Sequence, residues 1–143
     1  MAETGKVRTR SQVWAERAFD RVAARRSYGQ KDDYATFAKS FPGLIHTCGL
    51  VQALAFAEAK GKDKENKLLW PDRSQENERG HTLEFLDDLA TVLGTGRDEL
   101  IKQSREADVV TYLRLSREAL AAAGWLKRYV EALLEDKGGK EAT

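Results

Sequence analysis

Apolar residues along this chain recur at intervals of three and four and rarely alternate, which is the spacing of helices with one buried face. The first segment is expected from Thr9 or Ser11 to Ser27, with Ala15, Ala18, Phe19 and Val22 inward. Either hydroxyl can cap the free N–H groups of its first turn. Arg10, Arg17, Arg21 and Arg25 run beside that inner stripe. A second helix, about Lys31 to Phe41, carries Tyr34, Phe37, Ala38 and Phe41 on one face. It is expected to stop at Pro42, because a residue before proline disfavours helical geometry, and Pro42 suits the first turn of a new helix. That third helix, through "GLIHTCGLVQALAFAEAK" to Lys60, is apolar nearly all round. It is expected in the middle of a bundle, with a close helix crossing at Gly49.

Residues 61–80 are polar apart from Leu68, Leu69 and Trp70, and predict a long exposed connection with at most one helical turn. A fourth helix follows from Thr82 to Leu93, with Leu83, Leu86, Leu89, Ala90 and Leu93 inward. "GTGRDE" ends it. A short helix over about Arg97–Ser104 and a long one over about Asp108–Asp136 complete the chain. The fold class is therefore all-α: one domain over residues 1–143, a bundle of about six helices, with 1–8 and 137–143 expected to be loose.

Composition adds limits. At 143 residues and 41% hydrophobic content the chain can bury one core without staples. No apolar run approaches the roughly 20 residues needed to span a bilayer, so no membrane partner is expected. The opening "MAETGKVRTRSQ" has no apolar core of a secretory signal, and Cys48 has no partner for a disulfide. A reducing, cytoplasmic location is the expectation. Net charge is only +1 but uneven: 13 basic and 8 acidic residues precede Pro71, and 11 basic and 15 acidic follow. A local basic patch on a near-neutral protein can hold an anionic polymer at one face, although arginine-rich helix surfaces are also common as plain solvated faces.

Catalytic chemistry has little material. His46 and Cys48 are two apart on a helix, so they point to different faces, and no second cysteine completes a zinc set. They read as a core histidine and a small buried thiol. His81, Glu84, Asp87 and Asp88 lack the spacing that aligns two imidazoles on one metal, and Glu84 with Asp88 reads as a solvated acidic face. No phosphate loop or nucleophile elbow occurs. No catalytic residue, metal site or cofactor is expected.

The last helix poses the sharpest question. Tyr112, Leu115, Ala119, Leu126, Val130 and Leu133 form its inner stripe. Opposite them run Arg114, Arg117, Ala121, Gly124 and Arg128. Gly124 and Ala121 make a shallow trough rimmed by arginine. Small residues admit another backbone, and arginine can meet phosphates or carboxylates in pairs of hydrogen bonds. Exposed ion pairs such as Arg114 with Glu118 would be the plain alternative. Spacing alone therefore stops at a helical domain with basic stripes for RNA, DNA or an acidic partner.

Two blocks carry a resemblance. Pro42, then Gly49, Leu50, Gln52, Ala53, Leu54, Ala55 and Phe56 form the first. Tyr112, Leu113, Arg117, Glu118, Ala119, Leu120, Trp125, Leu126, Lys127 and Arg128 form the second. Together with "WAERAFDRV" (Trp14–Val22) they resemble the small helical subunit of the type III-B CRISPR effector, the Cmr complex. The resemblance implies a non-catalytic subunit that stacks in several copies along guide RNA paired with target RNA, beside other Cmr subunits. It gives the basic stripes a use: Arg17, Arg21 and Arg25 as first choice for RNA phosphates, then Arg114, Arg117, Lys127 and Arg128. Trp125, Leu126 and the Gly49–Leu50 step read as structural. The small subunit of a Csm-type effector and a stand-alone adaptor for an acidic protein are the alternatives. No short recognition helix after a tight turn supports a DNA-binding helix-turn-helix.

Overall fold

The structure, a computed structural model, describes residues 7–66 and 80–135. Among these residues six α-helices form one all-α bundle without strands: α1 (Arg10–Ala24), α2 (Lys31–Cys48), α3 (Leu50–Asn66), α4 (His81–Leu93), α5 (Arg97–Glu106) and α6 (Val109–Leu133). The expectations for 1–6, 136–143 and the Leu68–Leu69–Trp70 island fall outside the described residues.

Thr9 starts α1 through a reciprocal cap, its hydroxyl accepting from Gln12 N and Gln12 Oε1 accepting from Thr9 N. The helix gives way after Ala24 to a single 3-10 turn, Arg25–Ser27. Trp14, Ala18 and Val22 are its buried residues, while Phe19 is 43% exposed. The inward placement of Phe19 is thus corrected. Its ring lies across the α1–α6 seam, edge-on to Tyr129.

The main departure from expectation is at Pro42. It sits inside α2, which runs on to Cys48. Proline withholds an N–H from the ladder, a cost of about 3 kcal/mol in a free helix. Here Tyr34, Phe37, Ala38, Phe41 and Ile45 form one buried stripe that crosses Pro42 without a break. Phe37 and Phe41 pack on each other and on Phe85 of α4, so the core clamps the turn that leads into Pro42, and buried Ile45 continues the stripe beyond it. The chain stops instead at Gly49, whose φ of 86° and ψ of 162° lie in a region open essentially to glycine alone. What looked like one helix apolar on all sides is the end of α2 and the start of α3. Val51 and Phe56 consequently face outward, 38% and 50% exposed, and His46 is exposed too. Cys48 is half-buried and free.

The helix in the middle of the bundle is α4, which packs against each of the other five. Eight of its thirteen residues are buried, including Leu83, Phe85, Leu86, Leu89 and Val92. Residues 61–66, expected in a connection, continue α3. Gly61 is buried where α3 crosses the start of α4, and a Cβ there would fall 2.3 Å from Leu83 Cγ. α4 ends as predicted in a left-handed glycine turn at Gly94, with Thr95 N bonded to Ala90 O. α6 then lies against α1 and α2. Its expected inner stripe is found: Ala119, Leu126 and Val130 are buried, and Tyr112, Leu115 and Leu133 pack at the edge of the core.

Candidate nucleic-acid interface

The arginines of the two stripes have different surroundings. On α1 the stripe turns onto α4. Arg17 Nη1 donates to the carbonyl of Val92 at 3.0 Å, satisfying a group in the last turn of α4. Arg21 Nε donates to Asp88 Oδ1 at 2.7 Å. Arg25 spans the same carboxylate, Nε to Oδ2 at 3.0 Å and Nη2 to Oδ1 at 2.9 Å, and reaches Glu84 Oε1 at 3.2 Å. The phenol of Tyr34 also donates to Asp88 Oδ2.

Asp88 is wholly buried, against the expectation of a solvated acidic face. The reason is spacing on two helices at once. Arg21 and Arg25 are four apart on one side of the seam, and Glu84 and Asp88 are four apart on the other. A buried carboxylate persists only when paired and hydrogen-bonded, and four donors converge on this one. Burial opposes the charge of the Arg25 guanidinium, but the hydrogen bonds and negative charge of Asp88 outweigh it and hold Arg25 more firmly protonated than usual. Burial, followed by the charge of Asp88, pushes the Tyr34 phenol well above the usual range. Arg25 further lies over the rings of Tyr28 and Tyr34, with its side chain only 12% exposed. Arg21 keeps 38% of its side chain in solvent, and Arg17 is exposed.

The α6 stripe differs. Arg114, Arg117, Ala121 and Arg128 are exposed, and Gly124 and Lys127 are half-buried. Glu118, the carboxylate one turn from Arg114, is held by Arg10 of α1 at 3.1 Å. Asp108 caps α6 by accepting from Thr111 N at 2.9 Å, and these hydrogen bonds, with a smaller effect of Arg114, hold its carboxyl below the usual range. No ion pair among the described residues engages Arg114, Arg117, Lys127 or Arg128. The sequence thus placed both stripes on the surface, and the structure divides them into one turned to the fold and one turned to solvent. Spacing within α1 could not reveal this, because the deciding carboxylates lie about 60 residues away on α4.

Trp125 was read as structural. It packs at the edge of the core and also lines the trough beside Gly124. No group of three or more His, Cys, Asp or Glu is placed to hold a metal among the described residues. No helix of the described residues is long and apolar enough to cross a membrane.

Residues 10–133 match the family of CRISPR-associated proteins designated Cas_Cmr5. The chain is 40% identical over 132 residues to the CRISPR system Cmr subunit Cmr5 of Thermus thermophilus, covering 91% of this chain and all of that one. It is 32% identical over 112 residues to the Cmr5 subunit of Thermotoga maritima, covering 78% of this chain and 73% of the other. A crystal structure of a Cmr5 family protein from Thermus thermophilus superposes with a TM-score of 0.75 at 38% identity, over 90% of this chain and the whole of that one. A six-helix fold and a match from the first residue of α1 to the last of α6 agree with the two blocks that suggested the Cmr small subunit: the chain belongs to the Cmr5 family, a subunit of the CRISPR Cmr system.

Proposed function

We propose that this subunit is a non-catalytic scaffold of a cytoplasmic, RNA-guided, RNA-targeting Cmr effector. Its partners are the other Cmr subunits, further copies of itself, and the guide RNA paired with target RNA. It contacts the RNA backbone through the outward face of α6, by Arg114, Arg117, Lys127 and Arg128. Arg17 and the solvated part of Arg21 add to that contact from α1. Arg25 supports it indirectly by fixing α1 against α4.

The observation that carries this reading is that no ion pair among the described residues holds Arg114, Arg117, Lys127 or Arg128 of α6. A helix face with four cations and no ion-paired carboxylate among the described residues attracts phosphates without regard to sequence. That suits an effector whose guide reads the target by base pairing. The order of preference drawn from charge position alone is reversed, since phosphate contact by Arg25 would compete with two hydrogen bonds to a buried carboxylate.

The test is a gentle pull-down of tagged protein from its host, followed by native mass spectrometry and RNA sequencing. Several Cmr subunits with guide-length RNA, and more than one copy of this chain, are expected. A single protein partner without RNA would favour the adaptor reading. In the assembled complex, Arg114→Glu with Arg117→Glu should weaken target RNA binding and flatten its salt dependence, with the melting temperature unchanged.

A further inference from the structure

Gly124 lies in the middle of α6, where glycine weakens a helix relative to alanine. Its neighbours in the fold do not require it. A Cβ at Gly124 would meet no atom within 4 Å, unlike Gly61 at its tight crossing. What the missing side chain does is open the surface. Two shallow depressions, of about 590 and 340 Å³, meet at Gly124 and Arg128. Ala121 and Trp125 line one, and Leu120, Lys127 and Glu131 line the other.

The Trp125 wall is held firmly. Tyr129 stacks on it with ring centroids 6.0 Å apart and planes 19° apart, and Phe19 meets Tyr129 edge-on at 5.6 Å. The rim carries Arg128 and Lys127, and the lining includes one carboxylate, Glu131. A planar apolar wall, two cations and one acceptor match a ligand with a flat ring, an anion and a hydroxyl. An acidic protein helix would satisfy the cations, but it offers the indole a flat ring only where an aromatic side chain stands beside its carboxylates, whereas each nucleotide brings ring, phosphate and hydroxyl together. A duplex keeps its bases stacked inside and offers only phosphates.

We propose that the trough is a nucleobase pocket. It takes an unpaired base of a single RNA strand beside Trp125, with the neighbouring phosphate on Arg128 and Lys127 and the ribose 2′-hydroxyl donating to Glu131. The proposal rests on the RNA-binding reading above and adds that this face distinguishes an unpaired strand from a duplex. Aromatic stacking tolerates any base, so no sequence preference is expected.

The test uses the full chain at low salt and fluorescence anisotropy of three labelled RNAs of equal length. They are a single-stranded oligouridylate, the same strand with abasic positions, and a duplex. The wild-type chain should bind the oligouridylate at least roughly five-fold more tightly than the abasic strand, from the lower end of stacking energies. Gly124→Leu, whose Cβ would meet no atom of the fold within 4 Å, fills the trough and, checked for an unchanged melting temperature, should erase that difference, leaving duplex affinity and salt dependence intact. Trp125→Leu, checked for helicity, should do the same. Equal binding of oligouridylate and abasic strand by the wild-type chain, or a Gly124→Leu chain that still prefers bases, would overturn the pocket. If Arg114→Glu with Arg117→Glu then weakens all three RNAs, backbone contact survives alone. If it weakens none, or the wild-type chain binds no RNA, both readings fall. Displacement of RNA by polyglutamate as readily as by oligouridylate would assign the trough to an acidic protein segment.

Discussion

Asp88→Asn is the substitution that tests most directly whether the α1 arginines serve the fold. The side chain keeps its size, so no cavity opens. What is lost is charge and one acceptor. Asp88 accepts from Arg21, twice from Arg25 and from Tyr34, with no exposed surface of its own. The asparagine amide turns a donor toward groups that are themselves donors, and Arg25 loses its paired geometry. Removing one partner of a buried ion pair costs about 3–5 kcal/mol. Arg21 is partly solvated and Glu84 remains near Arg25, which places the expected loss at the lower end, about 3 kcal/mol. For a chain of this length that lowers the melting temperature by roughly 10 °C. Urea denaturation followed by circular dichroism should show a lower midpoint at an unchanged slope. Arg25→Ala should cost more than Arg21→Ala, in line with their exposures of 12% and 38%. A loss for Asp88→Asn below about 1 kcal/mol, the value of an exposed ion pair, would mean that water already solvates the network. Arg25 would then regain its place among the RNA contacts.

Other expectations concern particular atoms. Gly61→Ala should lose about 1–3 kcal/mol in the same urea experiment, because the new methyl falls on Leu83, whereas Gly124→Ala should gain about 0.5–1 kcal/mol. Equal effects at the two sites would contradict the packing described here. Tyr34→Phe tests the raised phenol. In the unfolded chain this group ionises near pH 10, about the ordinary tyrosine value, and in the fold only at higher pH. Its contribution to stability is therefore complete below about pH 10 and is lost as pH rises toward the folded value. Wild type should lose stability more steeply than Tyr34→Phe above that pH, and parallel curves would remove the phenol from the network.

The pattern of apolar residues was enough to predict the helices, their number and most of their inner faces. It was weakest where two local rules met tertiary packing. The rule that proline ends a helix is a statement about free chains, and at Pro42 it yields to a buried stripe, with Phe37 and Phe41 on Phe85 of α4 before the proline and Ile45 after it. Gly49, read as a mid-helix glycine, is instead the turn, and a sequence carries no sign of which of two nearby breakers the core will tolerate. The central position of α4 was hidden by its charged residues. Asp88 makes that helix look amphipathic until its arginine partners on α1 are counted as part of the interior. Of the candidate site, the α6 stripe was legible from spacing. The partner that frees it, Arg10 taking Glu118, lies more than one hundred residues away in the sequence.

The two arginine stripes show why charge position alone overstates a binding surface. Arg21 at the end of α1 and Arg25 in the 3-10 turn that follows, like Arg114 and Arg117 on α6, sit one turn apart, and their charges are equal. They differ in what the opposing helix presents. α4 offers α1 two carboxylates and the open carbonyl end of a helix, so the fold consumes most of that cationic potential. α6 meets α1 and α2 through its apolar face and turns its arginines away from both. The excess of basic residues before Pro71 and of acidic residues after it is in part the signature of this internal pairing. The α1 stripe therefore leaves less free positive charge at the surface than the sequence suggests, whereas the α6 stripe keeps its own. Charge reversal on the two stripes should differ in its main effect: at Arg25 stability falls, and at Arg114 and Arg117 RNA binding falls with stability kept.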